Sequence, residues 1–171
     1  MAMRKELVWL RRDLRVSDNM SLYNACQSGV VLCVYLLFPD QWTLHRDSPN
    51  KLWFWLENLK TLQEQLDKLN IPLITMDVKN YQGAAPALMR LIEQYQCQSL
   101  WFNDEYGVNE QCRDDVVEKS CVQEGVGCRR FTDQLLFKPG SILNGKNCYF
   151  KVFTPFKKML YRNLDVNRIK P

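Results

Sequence analysis

Three groups of residues have types and spacing that could do chemistry. Arg11-Arg12-Asp13-Leu14-Arg15, followed by Asp18-Asn19, gathers three guanidinium groups in one short run. Guanidinium forks match phosphate oxygens, so this run could hold a phosphate. The interleaved acids favour the other reading, a local Arg–Asp network that fixes the loop and the start of the next helix. Asn109-Glu110 opens a helical stretch. Asn109 could simply cap that helix, with Glu110 favoured by the helix dipole. The same amide and carboxylate could instead meet a planar, nitrogen-rich ring, which needs a donor/acceptor pair and an anionic acceptor. His45 is the single histidine, close to Trp42, Trp53, Phe54 and Trp55. Those rings could wall a flat ligand, or serve only as packing.

Other chemistries are excluded or disfavoured. No glycine-rich phosphate loop is present: Gly125 and Gly127 lie between a helix and a strand, the reverse of a dinucleotide fingerprint. A Ser-His-Asp site would have to use His45, and no G-x-S-x-G motif supports it. Seven scattered cysteines with no C-x-x-C, and one histidine, argue against a metal site. The cysteines read as reduced, small hydrophobes. No catalytic residue is assigned. The hydrophobic fraction is 46% and the charged fraction 25%, ordinary for a globular protein. No apolar run approaches a membrane-spanning helix, and Met1-Ala2-Met3-Arg4-Lys5 lacks the apolar core of a signal peptide. A cytoplasmic, monomeric protein is expected. The net charge of +4 is uneven: residues 132–171 hold eight Lys or Arg against two acids, whereas the rest of the chain is net acidic. That basic end could touch nucleic acid or be a solvated linker.

The elements that must position these groups alternate. Strands are expected over 7–10, 30–38, 72–76, 99–102 and 127–131. Helices are expected over 19–28, from Ser48-Pro49 onward, over 84–95, over 109–124, and from about Pro155. Ser48 can accept from free N–H groups and Pro49 suits a first helical position. Behind them Leu52, Trp55, Leu56, Leu59, Leu62, Leu66 and Leu69 recur at helical spacing. In the 109–124 helix, Cys112, Val116, Val117, Ser120 and Cys121 are expected to face inward. Strict βαβ alternation requires crossovers, so the expected fold is α/β. It is a Rossmann-like or flavodoxin-like doubly wound parallel sheet of five strands, in three α/β/α layers. Ligands in such sheets bind beyond the carboxyl ends of the strands, here loops 11–18, 39–48, 77–83 and 103–109. Residues 1–131 are expected to form the domain core, and 132–164 an extension closing the same domain. That extension holds a Pro139-Gly140 loop, an Asn144-Gly145 turn and an extended piece at 148–152. Residues 165–171 read as the start of an interdomain linker.

Four segments in order carry a family resemblance. Leu7-Val8-Trp9-Leu10-Arg11-Arg12-Asp13-Leu14-Arg15-Val16-Ser17-Asp18-Asn19 resembles the opening signature of the DNA photolyase/cryptochrome family. Gln41-Trp42-Thr43-Leu44-His45-Arg46-Asp47-Ser48-Pro49 resembles the loop after the second strand in folate-type bacterial members. Tyr106-Gly107-Val108-Asn109-Glu110-Gln111-Cys112-Arg113-Asp114 resembles their fourth-strand loop, and Tyr149-Phe150-Lys151-Val152-Phe153-Thr154-Pro155-Phe156 the segment closing their first domain.

The resemblance implies an antenna domain that binds 5,10-methenyltetrahydrofolate through His45, Asn109 and Glu110. In the family a separate helical domain binds FAD and UV-damaged DNA. There a reduced, photoexcited flavin splits cyclobutane pyrimidine dimers. This chain is expected to lack that domain, to be inactive alone and to bind DNA weakly at most. Gly107 departs from the pattern, because folate-type relatives often carry Glu there. Two alternatives are a cryptochrome-type blue-light photoreceptor domain and a stand-alone α/β module for nucleotide or folate.

Overall fold

The structure is a computed structural model and describes residues 4–164. The residues read as a linker, 165–171, lie outside that range. The element order is β1 (Lys5–Leu10), α1 (Met20–Ser28), β2 (Val30–Leu37), α2 (Pro39–Leu44), α3 (Pro49–Lys68), β3 (Leu73–Asp77), a 3-10 turn (Tyr81–Gly83), α4 (Ala84–Tyr95), β4 (Ser99–Asn103), α5 (Val108–Gln123), β5 (Gly127–Phe131) and α6 (Phe153–Asn163). The five strands form one parallel sheet in the order β3-β2-β1-β4-β5.

The central strand explains the layering. Successive side chains of a strand point to opposite faces, so a strand covered on both sides reads as a continuous apolar run. In β1, Leu7 and Trp9 join one core with α4 and α5, through Leu88, Leu91, Ile92, Val117 and Cys121. Val8 and Leu10 join the other with α1 and α3, through Leu22, Ala25, Leu59, Leu62 and Leu66. This is the expected doubly wound, three-layer fold. Truncating a fully buried core leucine such as Leu66 removes its transfer energy and leaves a cavity, about 2–5 kcal/mol.

Local chemistry sets the boundaries. Asn19 caps α1, its side chain accepting from the Leu22 N–H. Gly29 ends α1 where any Cβ would collide with the Arg4 carbonyl oxygen, and Arg4 in turn accepts from the Val30 N–H at 2.8 Å. Ser48 caps α3, accepting from the Lys51 N–H, with Pro49 in the first turn.

Two expectations need correction. Residues 39–44, read as loop, form the helix α2, with Pro39 at its first position and Asp40 in its first turn. Two turns are too short to show periodicity in sequence. Cys112 and Val116 of α5 are exposed. Its buried residues are Arg113, Asp114, Val117 and Cys121, so the inward stripe is rotated and begins with an ion pair.

The described residues divide into two compact units, the first ending at Asp133 and the second beginning at Gln134. Asp133 belongs to the first: its carboxylate accepts from Arg15 Nη2 at 2.5 Å and from the Met20 N–H at 3.0 Å. In the second, Lys138–Ser141 closes a turn with Pro139 and left-handed Gly140 at its centre. Asn144 Oδ1 accepts from the N–H groups of Lys146 and Cys148 at 2.9 and 3.1 Å.

Candidate functional site

A doubly wound sheet opens a ligand crevice where its strand order reverses, here between β1 and β4. In this chain the protein's own charges fill that place. Arg11 donates to Asp114 Oδ1 at 2.7 Å and to the Asn103 carbonyl. Arg113 donates to the same Asp114 oxygen at 2.8 Å and to Glu105 Oε2 at 2.7 Å. All four side chains are buried. The two guanidinium groups lie 4.5 and 4.7 Å from the Trp9 ring, and Arg113 also lies 4.8 Å from Tyr81. Burial alone would raise the Glu105 pKa; Arg11 and Arg113, with Arg12, outweigh it and hold the carboxyl below the ordinary range.

The Arg11–Asn19 run is therefore chiefly the network that its acids suggested. Asp13 accepts from the Arg11 N–H at 2.8 Å and from Asn103 Nδ2 at 2.7 Å. Asn103 Oδ1 accepts from the Ser21 N–H at 3.1 Å, tying the end of β4 to the start of α1. Arg15 pairs with Asp133. Arg12 differs, with a side chain 63% exposed, set 3.2 Å from Glu105 and 3.3 Å from Glu110.

Beside the plugged crevice, toward β2, opens a cavity of about 330 Å³. Phe38, Trp42, Trp55 and Tyr81 supply its aromatic walls. Trp42 and Trp55 lie 6.4 Å apart, and Tyr81 meets Phe38 edge-on at 4.9 Å. Lys51 sits 4.7 Å over Trp55 and is paired with Asp47 at 2.5 Å. The elements explain the convergence: α2 carries Gln41 and Trp42 over the end of β2, and His45 is its C-cap. The chain reverses at left-handed Arg46 and Asn70 on either side of α3.

His45 and Glu110 both line this cavity. Glu110 Oε1 accepts from Tyr81 Oη at 3.1 Å and from Arg12 Nη2 at 3.3 Å. The Tyr81 pKa is pushed up to about 12 by burial and by Glu110, against the opposing pull of Arg113. The Tyr35 pKa, on the same wall, is pushed up to about 12 by burial, Glu105 and Asp13. Asn109 is exposed and lines a second cavity of about 400 Å³ with Leu44, Cys112 and Val116. The two cavities share Gln41, Tyr81 and Arg113. The structure thus brings His45 and Glu110 together and places Asn109 on the adjoining side of Tyr81.

Sequence reasoning missed Tyr35, Glu105 and Tyr81, and gave Arg113 and Asp114 no part. A signal for the pair did exist. Counting back three and four residues from Val117 lands on Asp114 and Arg113, an opposite-charge pair on the inward face of α5.

Glu105 gives an expectation for pH. Its pKa is depressed in the fold, so its stabilisation is complete above the ordinary value of about 4.3 and is lost as pH falls through the folded value. Urea midpoints should therefore fall steeply below about pH 4 in wild type. Glu105→Gln should be less stable at neutral pH yet flatter across that acid range. Equal slopes for the two proteins would contradict this.

A family model described as DNA photolyase matches residues 6–170. The chain belongs to the DNA photolyase family. It is 38% identical over 167 residues to the deoxyribodipyrimidine photo-lyase of Buchnera aphidicola, covering 96% of this chain and 35% of that protein. It is 28% identical over 151 residues to cryptochrome-1 of Arabidopsis thaliana, covering 88% of this chain and 22% of that protein. A class III photolyase structure from Agrobacterium tumefaciens superposes with a TM-score of 0.76 at 24% identity, covering 96% of this chain and 33% of that one. The fold is thus that of a photolyase N-terminal domain, and the chain spans about a third of the length of the photo-lyase it matches. Identity is higher to the photo-lyase than to the cryptochrome. Among the described residues no helix is long and apolar enough to cross a membrane.

Proposed function

We propose that this photolyase-family domain binds a light-harvesting antenna, 5,10-methenyltetrahydrofolate, for a parent deoxyribodipyrimidine photo-lyase. That parent would repair cyclobutane pyrimidine dimers in UV-damaged DNA by light-driven electron transfer from reduced FAD. The flavin and its chemistry would lie outside the third of the photo-lyase relative's length that this chain spans. The observation that carries the antenna reading is the cavity uniting His45 and Glu110 at the carboxyl edge of the sheet. Its volume and aromatic walls suit a flat ring, and Glu110 and Gln41 supply few but directional polar contacts. The antenna absorbs light and passes excitation on. The residues here only bind it, orient it and exclude water. Asn109 reaches a ligand that extends past Tyr81 toward the second cavity.

The test is a titration of the chain with methenyltetrahydrofolate and, separately, with a flavin nucleotide, followed by tryptophan quenching and chromophore absorbance. Saturable folate binding that quenches tryptophan supports the reading. Flavin binding with no folate binding would assign the cavity to a different antenna.

DNA contact by this chain is expected to be weak. Residues 134–164 hold six Lys or Arg and no acid, so phosphate neutralisation supplies what affinity there is. Binding to duplex DNA should weaken steeply as salt is raised. Lesion-selective binding that persists at physiological ionic strength would refute this.

A further inference from the structure

Gly107 precedes α5 with φ −68° and ψ 145°, a conformation open to any L-residue. Its backbone does not require glycine. What a side chain would meet is the Glu110 carboxylate, whose Oε2 would collide with a Cβ and whose Cδ would lie 2.9 Å from it. The obstacle is the tip of a flexible side chain, so an added Cβ displaces the carboxylate and leaves the loop in place. The other oxygen, Oε1, is already held by Tyr81 at 3.1 Å and Arg12 at 3.3 Å.

We propose that Gly107 is a positioning residue that lets Glu110 fold back over the loop onto Arg12 and Tyr81, so that a ligand must compete with these partners for the carboxylate. This rests on the reading of the cavity as an antenna site. Its physical content is pre-engagement: donors on a ligand ring gain from Glu110 only what exceeds the contacts they replace. Arg12 is largely exposed and Tyr81 half-buried, so both can release the acid without unfolding their elements. A Cβ at 107 excludes the folded-back arrangement and, with it, the contacts of the carboxylate to Arg12 and Tyr81.

Gly107→Ala tests this with two independent readouts. The first is the phenol titration of Tyr81, followed by NMR of ring-labelled tyrosine and assigned with Tyr81→Phe. The groups around that phenol are Glu110, Arg113 and Glu105. The Tyr81 pKa, now about 12, should fall toward the ordinary tyrosine value of about 10 when Glu110 leaves. Glu110→Ala should produce a similar fall, and Gly107→Ala added to Glu110→Ala should produce none beyond it. The second readout is the Kd for methenyltetrahydrofolate, which should tighten by about 3–10-fold, the factor for one net hydrogen bond no longer competed for. An unchanged Tyr81 titration overturns the proposal whatever the ligand does. A shifted Tyr81 with weaker folate binding overturns the competition. A shifted Tyr81 with no folate binding by either protein supports the positioning by Gly107 and refutes the antenna reading on which its use depends.

Discussion

Replacing Arg113 with alanine is expected to destabilise the first unit by about 3–5 kcal/mol, the cost of breaking a buried ion pair from one side. Arg113 is the shared partner of Asp114 and Glu105, at 2.8 and 2.7 Å. Without it Asp114 keeps only Arg11, at 2.7 Å, and Glu105 keeps Arg11 at 3.8 Å and the exposed Arg12 at 3.2 Å. Asp114 Oδ2 and Arg11 Nε already lack hydrogen-bond partners, so the cluster has little spare capacity. The guanidinium also lies over the Trp9 and Tyr81 rings, at 4.7 and 4.8 Å, cation–π contacts that are part of the same loss. Since a domain of this kind is stable by only about 5–15 kcal/mol, the loss should be plain in a urea titration followed by tryptophan fluorescence. Arg12→Ala is the control: its own side chain is largely exposed and Glu105 keeps Arg113, so the change should cost under about 1 kcal/mol. A midpoint for Arg113→Ala matching that of Arg12→Ala would show that the buried charges are not coupled as described.

The same cluster marks where the fold was legible in sequence and where it was not. The central strands announce themselves because burial on both faces forces consecutive apolar residues, as in Leu7-Val8-Trp9-Leu10. The core of α3 shows as Leu59, Leu62 and Leu66. Leu56 and Leu69 share that helical spacing yet are exposed, because periodicity fixes a face and not its extent. The inward face of α5 hides because its first turns bury charge. Apolar spacing picks out Val117 and Cys121 correctly, but it adds Cys112 and Val116, which are exposed, and passes over Arg113 and Asp114. At the candidate site, His45 and Glu110 are visible as polar residues just past the second and fourth strands, Glu110 at the start of a helix. Tyr81 and Glu105 are not, because their part depends on which loops the sheet order brings side by side. That order is a tertiary fact: the residues after β2 and β3 meet those after β4 only once β1 lies between β2 and β4.

Removing the carboxylate of Glu110 should have the largest effect on ligand binding. Its side chain is 16% exposed at the cavity wall, close enough to solvent to be reached and buried enough that its hydrogen bonds are not diluted by water. An ionised acceptor facing the paired donors of an amino-pyrimidine edge is worth about 1.5–3 kcal/mol. Glu110→Ala should therefore weaken methenyltetrahydrofolate by about tenfold to a hundredfold. Glu110→Gln keeps the volume but exchanges one acceptor for a donor and removes the charge, so it should lose nearly as much. His45→Ala should cost less, because an exposed ring at the end of α2 covers the ligand without a directional bond. Arg12 supplies the internal check. With Glu110 gone, its guanidinium keeps Glu105 at 3.2 Å, so the protein should fold normally by circular dichroism while its affinity falls. The decisive comparison is made in the whole parent protein, where a folate absorbance band of full intensity in Glu110→Ala would remove this carboxylate from the antenna site.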